Sequence, residues 1–427
     1  MSFFSAHSPS SVFRTPFVGG LATVALSVAS LLPVTGLCAA EPFLDKQELF
    51  STSLNPEYKL VHIPGVVVTG KGTVLAWCEA RKKGGDWDQI DIILRRSTDG
   101  GKTFGEAKSI ANVPGPKTKN PFALRVKGVN PDDVTYNNPV LIADRKEAGT
   151  VHMVFCLEYM RCFYQQSIDD GLTWSTPEEI TQTFEAFRKD YDWKVLATGP
   201  NHSIQLKTGR LVVPVWLSTG TGGNAHRPSV TSTIYSDDQG KTWKAGDVAV
   251  PCTEEWINPN ETVAIELADG SVMLNVRSES KKHRRLVTVS KDGATGWSKP
   301  EFDEALLEPI CMGGIARYSL AGDASRGGKT RIVFSNPDNL AREDGKAQEG
   351  KNRDRKNVSV KLSEDEGKTW TVSKVLEPGF SGYSDIVVTQ DGTILCLYGK
   401  GEKKEFGGFA FGQLVLARFN LEWLEAK

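Results

Sequence analysis

This chain is poor in cysteine and histidine, and it has no excess of charge of either sign. Its 427 residues include 7 cysteines and 6 histidines, with no CxxC pair, so no spacing indicates a zinc site. Lys and Arg number 51 against 52 Asp and Glu, and this balance offers no basic stripe of the kind that nucleic-acid binding requires. We therefore expect no metal, no other cofactor and no nucleic-acid partner.

Long apolar runs are also missing, apart from the first 40 residues. There Arg14 is the only basic residue before a small and apolar stretch over residues 17–37, and small residues follow at 38–40. This order is typical of a secretory signal peptide. Proline and glycine interrupt the stretch and leave it short for a membrane span, although an anchor stays the alternative. We predict a signal peptide at 1–40, one domain over 41–427, a secreted or periplasmic location and no stable membrane insertion after cleavage.

The remaining cysteines do not resemble a disulfide framework. They are scattered along the chain, and several lie inside apolar runs such as Leu75-Ala76-Trp77-Cys78. A large hydrophobic core does not need disulfide bonds for its stability, and a buried cysteine behaves as a small hydrophobic residue.

An eight-residue repeat, Ser-x-Asp-x-Gly-x-Thr-Trp, is the strongest positive signal. Good copies begin at Ser97, Ser167, Ser236 and Ser363, and a worn copy begins at Ser290. Each good copy follows a strand-like run, and its Asp and Gly suit a tight turn, because Asp can bind its own backbone and Gly accepts positive φ. The pattern predicts a β-hairpin in each copy.

Glycine turns alternate with these hairpins, and an apolar strand follows each of them. Two hairpins per unit make a four-stranded blade, so we predict an all-β protein with the architecture of a six-bladed β-propeller. Helical periodicity is nearly absent, and residues 183–190 are the best candidate for a short helix.

The repeat resembles the Asp-box, or bacterial neuraminidase repeat, and the chain after residue 40 resembles the retaining exo-sialidases. That resemblance implies a glycoside hydrolase that releases terminal α-linked sialic acid, or a related acidic sugar, from glycoproteins, glycolipids or oligosaccharides. Asp-boxes support the fold far more than the reaction. Such an enzyme needs arginines to hold the sugar carboxylate, a tyrosine nucleophile activated by a glutamate, and a separate acid.

The first similar segment, residues 79–91, precedes the first repeat. By its match to the family, Asp86 would be the acid/base and Arg81 would contact substrate, with Asp88 as the alternative acid.

The other two segments follow in family order. In the stretch 258–278, Glu261 would activate the tyrosine and Arg277 would bind the carboxylate, whereas Glu266, in mid-strand, would face solvent or an outer blade. Around the last repeat, Arg355 would be a second clamp arginine, with Arg353 as the alternative, and Tyr383 would be the nucleophile.

One position departs from the family. Its first clamp arginine lies in an Arg-Ile-Pro motif, and this chain has His62-Ile63-Pro64. Histidine is mostly neutral at pH 7 unless an anion such as Asp86 or a bound carboxylate raises its pKa. Losing one guanidinium would cost about 1.5–3 kcal/mol. The alternatives are a weak or acid-favouring sialidase, a glycosidase of changed sugar specificity and a non-catalytic glycan binder; Arg125 and Arg227 are open candidates to replace the missing group.

Overall fold

The computed structural model describes the backbone of residues 40–403 and 409–426. The predicted signal peptide, except for Ala40, lies outside the described residues. Within the described ranges, no helix is long and apolar enough to cross a membrane. The predicted helix at 183–190 is a 3-10 helix, Thr181–Lys189, and further 3-10 turns span Ala123–Arg125 and Ala324–Arg326.

The chain forms strands almost throughout, grouped into sheets of consecutive antiparallel strands. The first strand, β1 (Leu44–Ser51), belongs to the last sheet. Sheet 1 contains β2 (Leu60–Val68), β3 (Val74–Arg81), β4 (Ile90–Ser97) and β5 (Lys108–Ser109). Sheet 2 contains β6 (Tyr136–Ala143), β7 (Val151–Leu157), β8 (Arg161–Ser167) and β9 (Glu178–Glu179).

Sheet 3 contains β10 (Val195–Thr198), β12 (Ile204–Gln205), β13 (Leu211–Ser218), β14 (Ser229–Ser236) and β15 (Lys244–Ala245), while β11 (Asn201–His202) between them pairs with β6 of sheet 2. Sheet 4 contains β16 (Thr262–Glu266), β17 (Val272–Val276), β18 (Arg284–Ser290) and β19 (Glu301–Leu307). Sheet 5 contains β20 (Gly314–Ser319), β21 (Arg331–Pro337), β22 (Lys356–Ser363), β23 (Val372–Val388), β24 (Ile394–Lys403) and β25 (Phe409–Phe419), and helix α1 (Leu421–Glu425) follows.

Sheet 5 has seven strands because β23, 17 residues long, serves two neighbours. Its first half pairs with β22, from Leu362↔Val372 to Lys356↔Phe380. Its second half pairs with β24, from Ser381↔Lys400 to Val388↔Ile394, and β1 completes the far edge by pairing with β25. Consecutive antiparallel sheets of this kind agree with the predicted β-propeller class.

The Asp-box hairpins are confirmed, and each connects the third and fourth strands of its unit. In the third copy, the Oδ atoms of Asp238 accept the Thr242 N–H at 2.8 Å and the Thr242 hydroxyl at 2.6 Å. These bonds hold the pKa of Asp238 at about 2. The worn copy keeps the backbone bond, Thr295 N–H to Asp292 at 2.8 Å, but its hydroxyl contact lengthens to 3.3 Å.

Strand register fixes which end of the molecule carries the chemistry. Val74 of β3 pairs with Ser97, where the first Asp-box begins, and Arg81 at the other end of β3 pairs with Ile90. The Asp-boxes and the candidate residues therefore lie at opposite strand ends. Between the sheets the core is apolar, and Cys78, Cys156, Cys162, Cys252, Cys311 and Cys396 are free thiols, as the sequence predicts.

Candidate active site

The residues proposed from the sequence lie around one cavity of about 260 Å³. They come from the strand ends that face away from the Asp-boxes. The lining includes His62 of β2, Arg81 at the end of β3, Asp86 in the β3–β4 loop, Glu261 before β16, Arg277 after β17, Arg355 before β22 and Tyr383 within β23.

A buried tyrosine–glutamate pair forms the centre of the cavity. The Tyr383 hydroxyl donates to Glu261 Oε1 at 2.7 Å and accepts from Arg277 Nη1 at 2.8 Å. Arg277 Nη1 also binds the second oxygen of Glu261. Burial raises the pKa of Tyr383 well above its ordinary value, although Arg277 opposes the shift. The phenol therefore keeps its proton until a base takes it, and Glu261 is in contact to do so.

Backbone irregularity aims the tyrosine into the cavity. Tyr383 has a φ of 39°, and the pairing of β23 with β24 shifts register between Gly382 and Ser384. Its N–H donates to Cys311 Sγ at 3.1 Å. Such bulges are used to redirect a side chain out of the regular alternation of a strand.

Two guanidinium groups flank the tyrosine ring. Arg277 bonds its hydroxyl, and the Arg355 guanidinium carbon lies 5.0 Å from the ring centroid. Arg355 Nη2 donates to the Ile310 carbonyl at 2.7 Å, which fixes the side chain. Arg353, the alternative, instead donates to backbone carbonyls within its own loop, including Lys351 at 2.8 Å.

Arg81 connects a buried glutamate with the candidate acid. Its Nη1 donates to Asp86 Oδ1 at 2.7 Å, and its Nη2 donates to Glu79 Oε2 at 2.6 Å. The Asp86 side chain is half exposed; partial desolvation favours its protonation, but Arg81 outweighs this effect, and the pKa of Asp86 falls below its ordinary value. Asp88, the alternative acid, accepts the Gly85 N–H at 2.7 Å and so shapes the loop that carries Asp86.

His62 lies against the tyrosine, with ring centroids 4.3 Å apart in an edge-to-face arrangement. Burial, then Arg81 and Arg355, lower the pKa of His62 well below its ordinary value, and Asp86 opposes them without prevailing. Asp86 alone therefore does not raise the pKa of His62 above its ordinary value. This ring is a neutral group where the related motif has a permanent cation.

Of the two candidates to replace that cation, Arg227 reaches the cavity. Its Nε and Nη2 donate to Glu279 at 2.8 and 2.6 Å. Arg125 instead stacks on Phe122, 4.4 Å from the ring centroid. The cavity lining thus carries four guanidinium groups and three carboxylates, a net charge of +1 with neutral histidines; the groups are Arg81, Arg227, Arg277 and Arg355 against Asp86, Glu261 and Glu279.

An aromatic wall, not anticipated from the sequence, closes another side of the cavity. His226 lies 4.9 Å from Tyr159 and 5.2 Å from Trp216 between ring centroids. Tyr159 is in the β7–β8 turn with a φ of 48°, after Glu158 with a φ of 58°. A buried ion pair, Lys119 Nζ to Glu158 at 3.1 Å, holds this turn. No motif marks these residues, because loop geometry brings them together.

Metal ligation finds no support in the same part of the chain. Among residues 40–403 and 409–426, no group of three or more His, Cys, Asp or Glu side chains is placed to hold an ion.

Comparisons with known proteins agree with the geometry. A family model described as "BNR repeat-like domain" matches residues 121–396. The chain is 28% identical to a sialidase of Micromonospora viridifaciens, over 94% of this chain and 59% of that protein. It is 29% identical to a sialidase of Bacteroides fragilis, over 79% of this chain and 59% of that protein. The chain therefore spans about three fifths of the length of these two relatives.

A human protein and two solved structures extend the comparison. Human Sialidase-3 is 26% identical over 79% of this chain and 85% of its own length. The structure "Hadza microbial sialidase Hz136" superimposes with a TM-score of 0.67 at 23% identity, over 87% of this chain and 67% of that one. The intramolecular trans-sialidase of Ruminococcus gnavus gives 0.65 at 18% identity, over 88% and 98%. At these identities the two solved structures are evidence for the fold only.

Proposed function

Because the chain belongs to the family of BNR repeat-like domain proteins, we propose that it is an exo-acting sialidase. In this proposal it releases terminal α-linked sialic acid, or a related acidic sugar, from glycoproteins, glycolipids or oligosaccharides, with retention of configuration. The observation that carries the proposal is the buried contact of Tyr383 with Glu261 at 2.7 Å beside the Arg277 guanidinium. A glycan binder without turnover has little use for a phenol bonded to a base.

The charge of the cavity suits a substrate with one carboxylate. Arg277 and Arg355 supply guanidinium forks, which match a carboxylate geometrically. A carboxylate nucleophile would be repelled by such a substrate. A neutral phenol that becomes nucleophilic only as its proton leaves avoids that repulsion.

The proposed reaction has two balanced steps. In the first, Tyr383 Oη attacks the anomeric carbon as Glu261 takes its proton, and the bond to the leaving oxygen breaks as Asp86 protonates that oxygen. In the second, Asp86 takes a proton from water, water attacks the anomeric carbon, and the phenol leaves and recovers its proton from Glu261. A bound carboxylate adds negative charge to the cavity, which raises the pKa of Asp86 towards the protonated state that the first step requires.

We also propose that the fold is a six-bladed propeller and that the protein is exported. The double pairing of β23 supports the first point, because dividing sheet 5 within β23 turns five sheets into six units of four or five strands each. The order of basic, apolar and small residues over positions 1–40 supports the second. N-terminal sequencing of protein recovered outside the cytoplasm tests export, and an N-terminus at residue 1 would refute signal cleavage.

Substitution of Tyr383 by Phe tests the reaction. We expect release of the fluorogenic aryl group from an aryl sialoside to stop while the protein stays folded. Tyr398→Phe is the matched control, because Tyr398 donates to Glu377 at 2.7 Å as a second buried tyrosine–glutamate pair. This variant should lose stability and keep activity. Absence of sugar release by the wild type from aryl sialosides and sialylated glycoproteins between about pH 4 and pH 7 would refute the proposal.

Neutral His62 favours one alternative, a related glycosidase acting on a neutral or sulfated sugar. It predicts that a screen of aryl glycosides finds a substrate better than the sialoside. A glycan array that shows binding without turnover would instead support a non-catalytic binder.

A further inference from the structure

A second cavity, of about 710 Å³, lies at the Asp-box end of the molecule, between sheets 1 and 2. One wall is formed by residues 105–114, which follow the first Asp-box. The other is formed by the second Asp-box, including Leu172 and Trp174, and by Pro177 after it. We call this cavity the seam groove. Since the candidate active site lies at the other strand ends, the seam groove takes no part in the proposed reaction.

The second Asp-box departs from its sister copies where it meets the seam groove. It has Leu172 where the other good copies have lysine, at Lys102, Lys241 and Lys368. Leu172 is 54% exposed, although leucine is among the residues that are most often fully buried. The mouth of the groove therefore has an exposed apolar side chain where the other good copies have a charged one.

The tryptophan of this copy differs as well. In the other copies with tryptophan, the indole N–H donates to an oxygen: Trp243 to Gly240 at 3.0 Å, Trp297 to Ala294 at 3.2 Å and Trp370 to Asp303 at 2.9 Å. The buried Trp174 Nε1 finds no such acceptor among the described residues. Among the described copies with tryptophan, only the one beside the seam groove leaves its indole N–H without a hydrogen bond.

The walls of the seam groove are fixed before any ligand arrives. Arg96 donates to the Asp170 carbonyl at 2.7 Å and to its carboxylate at 2.8 Å, which joins the two sheets. Gly171 packs so closely that a Cβ there would lie 2.8 Å from Leu75. On the floor, Gln165 Nε2 donates to the Ile110 carbonyl at 2.7 Å. Small-molecule sites are usually preformed in this way.

We propose that the seam groove binds a glycan chain, separately from the catalytic cavity. A pyranose presents an apolar face of C–H groups and an edge of hydroxyls. Trp174 and Leu172 match the face, and exposed polar side chains on the same lining, including Glu106, Asn112 and Thr176, match the edge. A site at the opposite end would hold one part of a branched or multivalent glycoconjugate while another part reaches the cavity.

Binding of a neutral probe tests the site without any turnover. The probe is a galactose-terminated biantennary N-glycan, titrated into the whole protein and followed by saturation-transfer NMR and calorimetry. We expect saturable binding that Leu172→Lys weakens at least about fivefold. Lys241→Leu, the reverse change in the third Asp-box, is the matched control and should leave binding unchanged. Trp174→Ala should weaken binding as well, and its melting temperature shows whether it remains folded.

Kinetics give the second readout. Leu172→Lys should leave kcat/KM for a small aryl sialoside unchanged and lower it at least about threefold for a sialylated glycoprotein. The proposal would be overturned if binding of the probe did not saturate, or if both lysine–leucine exchanges had the same effect. It would also be overturned if the protein bound only deglycosylated polypeptide. The probe carries no sialic acid, so the two proposals can fail separately. If the protein binds the probe but cleaves no sialoside, the proposed function is refuted and the proposal for the seam groove is retained.

Discussion

Replacement of His62 by arginine should improve turnover of sialosides while destabilising the unliganded protein. His62 lies in a cavity whose net charge is already +1, and Arg81 and Arg355 are the cations that lower its pKa. Two guanidinium groups about 6 Å apart repel by about 3 kcal/mol at an effective dielectric constant of about 20. We therefore expect His62→Arg to lower the free energy of unfolding by a few kcal/mol, which urea denaturation measures.

Binding of the substrate carboxylate offsets this repulsion, because it brings a negative charge between the guanidinium groups. A charge-assisted hydrogen bond contributes about 1.5–3 kcal/mol, which corresponds to about tenfold to a hundredfold in kcat/KM for a fluorogenic aryl sialoside. A non-hydrolysable carboxylate-bearing analogue should also raise the melting temperature of His62→Arg more than that of the wild type.

The control for this prediction is His62→Gln, which keeps a polar, uncharged side chain and should change kcat/KM far less. A folded His62→Arg protein whose kcat/KM for the sialoside is unchanged or lower would refute the reasoning that position 62 belongs to the carboxylate clamp. Improved turnover of a sulfated glycoside alone would point to the alternative specificity.

Three further predictions concern the glutamate, the acid and the Asp-boxes. Glu261→Gln should lower kcat about 10²- to 10⁴-fold in the aryl sialoside assay, whereas Glu266→Gln, which removes a carboxylate bonded to Arg145 outside the cavity lining, should not. Arg81→Gln removes the cation that lowers the pKa of Asp86, so the alkaline limb of the kcat/KM pH profile should move to higher pH; an unmoved limb would show that Asp86 is not the acid. Asp238→Ala should lower the free energy of unfolding by about 1 kcal/mol at pH 7. Because the pKa of Asp238 is about 2 in the folded protein and about 3.9 when unfolded, this difference should shrink between about pH 4 and pH 2, and a difference independent of pH would contradict the assignment.

Local turn chemistry explains why so much of the fold is readable from the sequence. In the four good Asp-boxes, the bonds of the Asp are to residues within a few positions, such as Asp238 to Thr242. Such interactions need no information from the rest of the chain. The free thiols follow for a similar reason, since their apolar neighbours in sequence are also their neighbours in the strand.

Tertiary contacts account for what the sequence does not reveal. Arg285 ends a run of five basic residues, 281–285, yet it is buried and its Nη1 lies 2.5 Å from Glu308. The pKa of His62 depends on burial and on Arg355, which is remote in sequence. His226 joins Tyr159 only because the loops of two sheets meet. Each of these outcomes rests on a partner far along the chain, which composition and spacing do not encode.

The pairing of β1 with β25 has a consequence for the order of assembly. Sheets 1 to 4 draw their strands chiefly from successive stretches of chain, so each can form as synthesis proceeds. Residues 44–51 cannot pair until residues 413–419 have been synthesised, and until then β1 has an unpaired edge. Closing so long a loop adds only a slowly growing entropy cost, so the delay is a matter of time more than of equilibrium stability. The nascent chain is thus most exposed to wrong pairing just before its last strand is made.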